Sequence, residues 1–179
     1  VVKQTEDEIS AINMAIGGAL TGTRTMTATC GPGIALMQEG IGQLGMGEIP
    51  VVIVDAQRSG PSTGMPTKPE QSDFNLMVYG GAGDFPRVVL DPGHTEDCFH
   101  ISALATNICE KYQLPVFIAL DQGLSQNTAT VRPLSLDDIQ IDRGKRLDKK
   151  TLEGMEVYKR YEFTDDGVSP FSPPGTPGG

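Results

Sequence analysis

The sequence predicts an α/β domain, a doubly wound parallel sheet with helices on both faces, followed by an extended C-terminal arm. Three observations carry that expectation. Two apolar runs, VVIVDAQ (Val51–Gln57) and LPVFIAL (Leu114–Leu120), lack the alternation of a half-exposed strand, as expected where a parallel sheet is covered on both faces. Strand-like and helix-like segments alternate over residues 1–130, which implies right-handed βαβ units. Over residues 131–179 the composition turns charged (DDIQIDRGKRLDKK) and then rich in proline and glycine (VSPFSPPGTPGG), with too few aliphatics for a second core.

Taken in order, Val1 and Val2 read as the end of a strand that runs into the first helix, so the N-terminal part of the domain is expected upstream. Glu6–Gly33 (EDEISAINMAIGGALTGTRTMTATCGPG) opens with Glu6, Asp7 and Glu8 in a first helical turn, where the helix dipole favours acids. Ile9, Ile12, Ile16, Ala19 and Leu20 share one helical face, and Gly17 and Gly18 leave room for a close neighbour. Arg24–Thr29 reads as a strand, Cys30–Gly33 as a turn, and Ile34 to Met46 as a helix. Gly40, Gly42, Gly45 and Gly47 each cost that helix up to about 1 kcal/mol if interior, which close packing must offset.

The strand Val51–Gln57 delivers Arg58 at its carboxyl end, followed by a Gly-, Pro- and Ser-rich loop, Ser59–Glu70. In open α/β sheets that edge is where ligands bind. A short helix is expected over Gln71–Val78 and a strand over Arg87–Leu90. The next helix, Thr95–Lys111, carries Ile101, Leu104, Ala105 and Ile108 on one face with Thr95 as its N-cap. The last strand ends at Asp121-Gln122-Gly123.

A formal net charge of −9 over 179 residues argues against general affinity for nucleic acid or anionic membranes. Three cysteines, Cys30, Cys98 and Cys109, form no CxxC pair, which suggests reduced thiols of a cytoplasmic protein rather than a zinc site, an iron–sulfur site or a disulfide framework. No apolar run reaches transmembrane length and no leader pattern is visible. His94 and His100 stand six apart and suit no i, i+4 metal pair.

The Gly-Pro-Gly turn exposes amides at a helix start, but GxGxxG and GxxxxGK[ST] are both absent. Cys30 at that turn lacks any local catalytic signature. Arg58, beside the loop, is placed either to hold a carboxylate bidentately or to pair structurally with Glu70 or Asp73.

Taken together, EDEISAINMAIG, TATCGPGIALMQEG, IPVVIVDAQRSGPSTGMPTKPEQSD and YGGAGDFPRVVLDPG resemble the alpha subunit of 2-oxoacid:ferredoxin oxidoreductases, most closely the 2-oxoglutarate type. The likeness spans residues 1–130, and RYEFTDDGVSPFSPPGTPGG resembles that subunit just before its second domain. It implies a thiamine diphosphate enzyme in which residues 1–130 are the pyrimidine-binding domain and residues 131–179 an arm towards a further domain. It further implies a cytoplasmic hetero-oligomer with a beta subunit, oxidatively decarboxylating a 2-oxoacid to an acyl-CoA with coenzyme A, and with ferredoxin as electron acceptor. Mg²⁺ and iron–sulfur clusters would belong to partner subunits; no GDG stretch followed by asparagine stands in this chain.

In this family one glutamate hydrogen-bonds N1′ of the aminopyrimidine. Helix register, with Met14, Gly17 and Gly22 aligned, puts it at Glu8, whereas counting back from the turn puts it at Glu6; register is stiffer than loop length and favours Glu8. Cys30, Gly31, Pro32 and Gly33 fall on the loop lining the pyrimidine pocket, with cysteine in place of a more usual small hydroxyl residue. Arg58 falls on the arginine that binds the substrate carboxylate, and the family's threonine contact lies upstream of Val1. Two other readings are a non-oxidative thiamine diphosphate decarboxylase or synthase, and a non-catalytic flavodoxin-like interaction module.

Overall fold

The apolar runs become the two central strands, because a strand covered on both faces can present β-branched and aliphatic residues in every direction. The computed structural model describes residues 1–179. Four strands, β1 (Met26–Thr29), β2 (Val52–Gln57), β3 (Val88–Leu90) and β4 (Val116–Asp121), form one parallel sheet in the order β1-β2-β4-β3. The helices are α1 (Glu8–Leu20), α2 (Gly33–Leu36), α3 (Gln38–Gly47), α4 (Phe74–Tyr79), α5 (Thr95–Tyr112), α6 (Gln122–Gln126) and α7 (Lys149–Glu153).

The two-sided core follows from strand alternation. One face carries Val51, Ile53, Phe117 and Ala119 against Ile12, Ile16, Ile34, Ile41, Leu44 and Met77 of α1 to α4. The other carries Val52, Val116 and Ile118 against Ala105 and Cys109 of α5. The chain steps in one direction along the sheet from β1 to β3 and back from β3 to β4. Right-handed crossovers therefore put α3 and α4 on one face and α5 on the other.

Several expectations are corrected. Val1 and Val2 form no strand and are exposed, since no neighbour in the sheet pairs with them. The expected helix after the turn is two helices parted at Met37, whose ψ of −6° departs from the helical value. In α1, Asp7 is the N-cap, its carboxylate accepting from the Ser10 amide at 2.7 Å, and Glu6 precedes the helix. Ile9 and Leu20 are exposed, while Ala15 joins the buried stripe. In α5 the cap is His94, whose Nδ1 accepts from the Asp97 amide, rather than Thr95, and Leu104 is exposed while Cys109 is buried.

The helix glycines divide. A Cβ on Gly40 would stand 2.8 Å from Ile12, so that residue is what lets α3 lie against α1; Gly17 and Gly42 face open space.

The arm carries no sheet strand, yet it is docked. It starts beside α5, where Arg132 meets Glu96 at 3.3 Å, and runs to the amino edge of the sheet. There Arg143 and Arg146 donate to the Gly22 carbonyl, Gln113 donates to the Ser169 carbonyl, and Arg160 donates to Glu48 at 2.9 Å. Glu110 of α5 takes both Arg24 (2.5 Å) and Arg143 (2.7 Å) with its side chain only 10% exposed. Truncating it strands two part-buried guanidiniums. Glu110→Ala is therefore expected to lower stability by about 2–4 kcal/mol and to speed proteolysis within residues 131–179, read by denaturant unfolding and limited digestion. Unchanged cleavage would show that the arm is held elsewhere.

Candidate functional site

Neighbouring parallel strands end side by side, and everything that follows them meets at one edge. Thr29 of β1 is in register with Asp55 of β2, so the Cys30–Gly33 turn lies next to Arg58. Gly31 has φ +57°, and a Cβ there would lie 2.6 Å from Arg58 Nε and 3.0 Å from its Cγ: the arginine stem crosses the Gly31 α-carbon. On the other side of the turn, a Cβ on Gly33 would strike the Thr29 hydroxyl and stand 2.8 Å from Glu8 Cγ and 3.0 Å from Glu8 Oε1. Glu8 and Arg58 thus flank the same three residues.

Glu8, first residue of α1, is half-buried over the turn, whereas Glu6 and Asp7 are exposed. Asp7 is committed to its cap, and the Ser10 amide and hydroxyl hold its carboxyl below the usual range. Pro32 sits at the N-cap of α2, and Cys30 is exposed at the rim. Of the residues singled out in the sequence, Glu8, Gly31, Pro32, Gly33 and Arg58 come together and Glu6 does not.

The loop after Arg58 is shaped by its own bonds. Ser59 and Met65 bridge, the Ser59 amide donates to the Lys68 carbonyl at 2.9 Å, and Glu70 accepts from the Ser59 hydroxyl at 2.7 Å. The Ser72 hydroxyl donates to the Arg58 carbonyl at 2.6 Å. Arg58 itself makes no salt bridge with Glu70 or Asp73, and its Nε is buried without an acceptor. Its terminal nitrogens donate to no residue either, and they, rather than the enclosed Nε, remain for a ligand.

Two carboxyls complete the cluster: Asp55, which the sequence did not single out, and Asp73, named there only as a structural partner for Arg58. Asp55 of β2 is 0% exposed and neither of its oxygens has a hydrogen-bond partner. Burial, then the charge of Asp73, push its carboxyl up to about 7, against the pull of the Gly31 amide and Arg58. Burial likewise raises Asp73, while the Arg58 amide and charge pull it down. The signal was present in VVIVDAQ: one acid inside a run read as covered on both faces.

Elsewhere the ionisable groups have simpler roles. Burial raises the Cys98 and Cys109 thiols, and all three cysteines are free. His100 stacks edge-on against Phe99. No group of three or more His, Cys, Asp or Glu side chains gathers as a metal site, and no helix is long and apolar enough to cross a membrane.

Comparison with known proteins gives the family and the fold. The sequence profile of the family described as "Pyruvate flavodoxin/ferredoxin oxidoreductase, thiamine diP-bdg" matches residues 1–174. The chain is similar to the 2-oxoacid:ferredoxin oxidoreductase 1 alpha subunit of Sulfurisphaera tokodaii, 46% identical over 95% of this chain and 27% of that protein. It is also similar to the 2-oxoglutarate synthase subunit KorA of Archaeoglobus fulgidus, 40% identical over 92% of this chain and 47% of that protein. Among solved structures it is similar to the 2-oxoglutarate:ferredoxin oxidoreductase of Magnetococcus marinus with 2-oxoglutarate, coenzyme A and succinyl-CoA bound. That match has a TM-score of 0.92 at 45% identity, covering 98% of this chain and 30% of that one. The chain therefore spans between a quarter and a half of the length of these relatives.

The elevated Asp55 gives a signed expectation. Its carboxyl rises from 3.8 to about 7 on folding, so the folded chain holds an extra proton between those values. That contribution to stability is present at low pH and lost as pH rises through about 7. Asp55→Asn, which has no charge to bury, should gain on the order of a few kcal/mol relative to the wild type on going from pH 5 to pH 8. Thermal melts at the two pH values check this; an equal difference at both would contradict it.

Proposed function

The chain belongs to the pyruvate flavodoxin/ferredoxin oxidoreductase, thiamine diphosphate-binding family, and we propose that its subunit oxidatively decarboxylates a 2-oxoacid, 2-oxoglutarate by its relatives, to an acyl-CoA with ferredoxin as electron acceptor. The observation that carries this reading is the single Gly-Pro-Gly turn with a half-buried carboxylate on one side and an arginine with a free donor on the other. Residues 1–130 then form the pyrimidine-binding domain, and residues 131–179 lead towards a further domain of a cytoplasmic subunit.

The residues fit the cofactor. Gly31 and Gly33 have no Cβ, which lets Arg58 and Glu8 lie directly on the turn, and Cys30 and the apolar side chains Ile9 and Leu36 are exposed. Thiamine diphosphate, when bound, supplies the carbon nucleophile that attacks the 2-oxo carbon. Glu8 holds the proton shared with the aminopyrimidine at its carboxyl oxygens, and Cys30–Gly33 provide the floor beneath it. Arg58 offers paired donors to the substrate carboxylate, fixing the 2-oxo carbon in place. The open apolar surface is closed by a beta subunit, which with other partners carries Mg²⁺ and the iron–sulfur clusters, so this chain supplies half of the cofactor site.

The test measures 2-oxoglutarate- and coenzyme A-dependent ferredoxin reduction by the assembled enzyme. Glu8→Gln should lower kcat about 100-fold or more, while Glu6→Gln changes it little. Arg58→Ala should raise KM for the 2-oxoacid about 10- to 100-fold, the loss of one charged hydrogen-bonding contact. A mild Glu8→Gln beside a damaging Glu6→Gln would move the pyrimidine carboxylate. Absence of thiamine diphosphate binding by the assembled complex would overturn the whole reading.

A further inference from the structure

Asp55 and Asp73 approach Arg58 from two different elements. Asp55 projects from β2 onto the face that also carries Val51, Ile53 and Gln57, opposite Thr29 and Ala119 in the register. Asp73 stands at the N-cap position of α4 without a side-chain cap bond, is itself buried, and precedes the buried Met77 of that helix. Both Asp55 oxygens and Asp73 Oδ2 lie in the interior without a donor in hydrogen-bond geometry, although the Gly31 amide lies close enough to draw on Asp55 and the Arg58 amide on Asp73, and Gln57 Oε1 on β2 is equally unpartnered. Four buried acceptors thus face two backbone amides and the unpartnered Arg58 Nε, which leaves the cluster short of donors. A proton on one carboxyl turns an acceptor into a donor and removes a like-charge pair at once.

We propose that Asp55 and Asp73 are positioning residues for Arg58: a buried carboxyl pair sharing one proton, which seats the guanidinium over Gly31 and couples 2-oxoacid binding to uptake of that proton. The proposal rests on the reading of Arg58 as the substrate-carboxylate arginine.

The charge count explains the coupling. With both carboxyls ionised, the pair and Arg58 sum to −1, which repels an incoming carboxylate; with one proton shared the sum is zero. A third carboxylate arriving at Arg58 strengthens the preference for the protonated pair, and by reciprocity the protonated pair binds substrate more tightly. Burial sets the proton's release near neutrality, about 7 for Asp55.

Other groups around the pair have different engagements. Glu70 faces Asp73 but accepts from Ser59 and Gly60. Asp121, opposite Gln57 at the end of β4, is exposed and caps α6 through the Leu124 amide. Glu8 and the exposed Cys30 lie on the turn, where Gly31 separates them from the pair as it meets Arg58.

The experiment follows KM for 2-oxoglutarate from pH 6 to 9 in the assembled enzyme. Wild-type KM should be flat at low pH and climb above pH 7 towards a limit of about tenfold per unit, the slope of one linked proton. Asp55→Asn should remove that rise, and Asp73→Asn should shift it downward in pH, because the like charge that holds the proton on Asp55 is gone. Calorimetric titration of the wild type with glutarate, an unreactive dicarboxylate, in two buffers of different ionisation enthalpy should report uptake of a fraction of a proton at pH 7.5. That measurement needs no variant to fold.

A wild-type KM flat across the range, no proton uptake, or a wild-type rise retained in Asp55→Asn overturns the proposal. Arg58→Ala separates the two readings. If it leaves KM unchanged, the substrate-arginine reading falls and this one with it; if it raises KM while Asp55→Asn keeps the wild-type rise, only the carboxyl pair falls.

Discussion

The parallel pairing of β1 with β2 is the constraint on which the site depends. Thr29 opposite Asp55 fixes where both strands stop, and therefore that the turn after one meets the first residue after the other. A slip of one residue would turn every side chain of β1 to the opposite face and carry the turn away from Arg58. The helix before β1 obeys the same geometry. It runs antiparallel to the strand it precedes, so its first residue, Glu8, is delivered to the carboxyl edge, and Ile12, Ala15, Ile16 and Ala19 pin it to the sheet. Two side chains 50 positions apart thus meet across three residues without any direct bond between them.

The arm works at the opposite edge. Its partners are the groups that precede strands: Gly22 before β1, Glu48 before β2 and Gln113 before β4. Most are carbonyls and charged side chains rather than apolar surface, and Leu152 is the arm's one large buried aliphatic. Such contacts are individually modest, worth about 1 kcal/mol when neutral. Holding the arm therefore takes many of them, with Arg160 set between Glu48 and the rings of Tyr161 and Phe171. At the carboxyl edge the arm's contact is Arg132 with Glu96, away from Glu8 and Arg58.

How much of this was legible in the sequence follows from what each signal encodes. The two central strands, the position of Arg58 and the Gly-Pro-Gly turn could be read because continuous apolar runs and turn residues report local backbone and burial. Glu6 against Glu8 could not be settled by spacing alone; the side chain's seat over Gly33 separates them geometrically. The caps at Asp7 and His94 were not legible, because propensity does not resolve a helix start to the residue. Glycine is ambiguous by nature: Gly40 admits a neighbour and Gly42 admits nothing, and both leave the same gap in the pattern. The docked arm was invisible because backbone carbonyls accept from arginines whatever their own side chains are.

Asp55 shows why a buried acid is the most informative residue of the cluster. An ionised carboxylate taken fully from water without donors costs several kcal/mol, a large share of the 5–15 kcal/mol (roughly) that holds a domain folded. Valine, the residue type that precedes it at Val54, would remove that cost. A carboxyl kept there is tolerable where its neutral form is favoured or a positive charge is near; burial favours the neutral form of Asp55, and the Arg58 charge is close enough to be felt. Arg58 cannot by itself neutralise two carboxylates and still bind a third. If Arg58 serves the substrate carboxylate as proposed, it requires a proton in the pair behind it, and the same burial that makes the acid expensive places that proton's release near neutral pH.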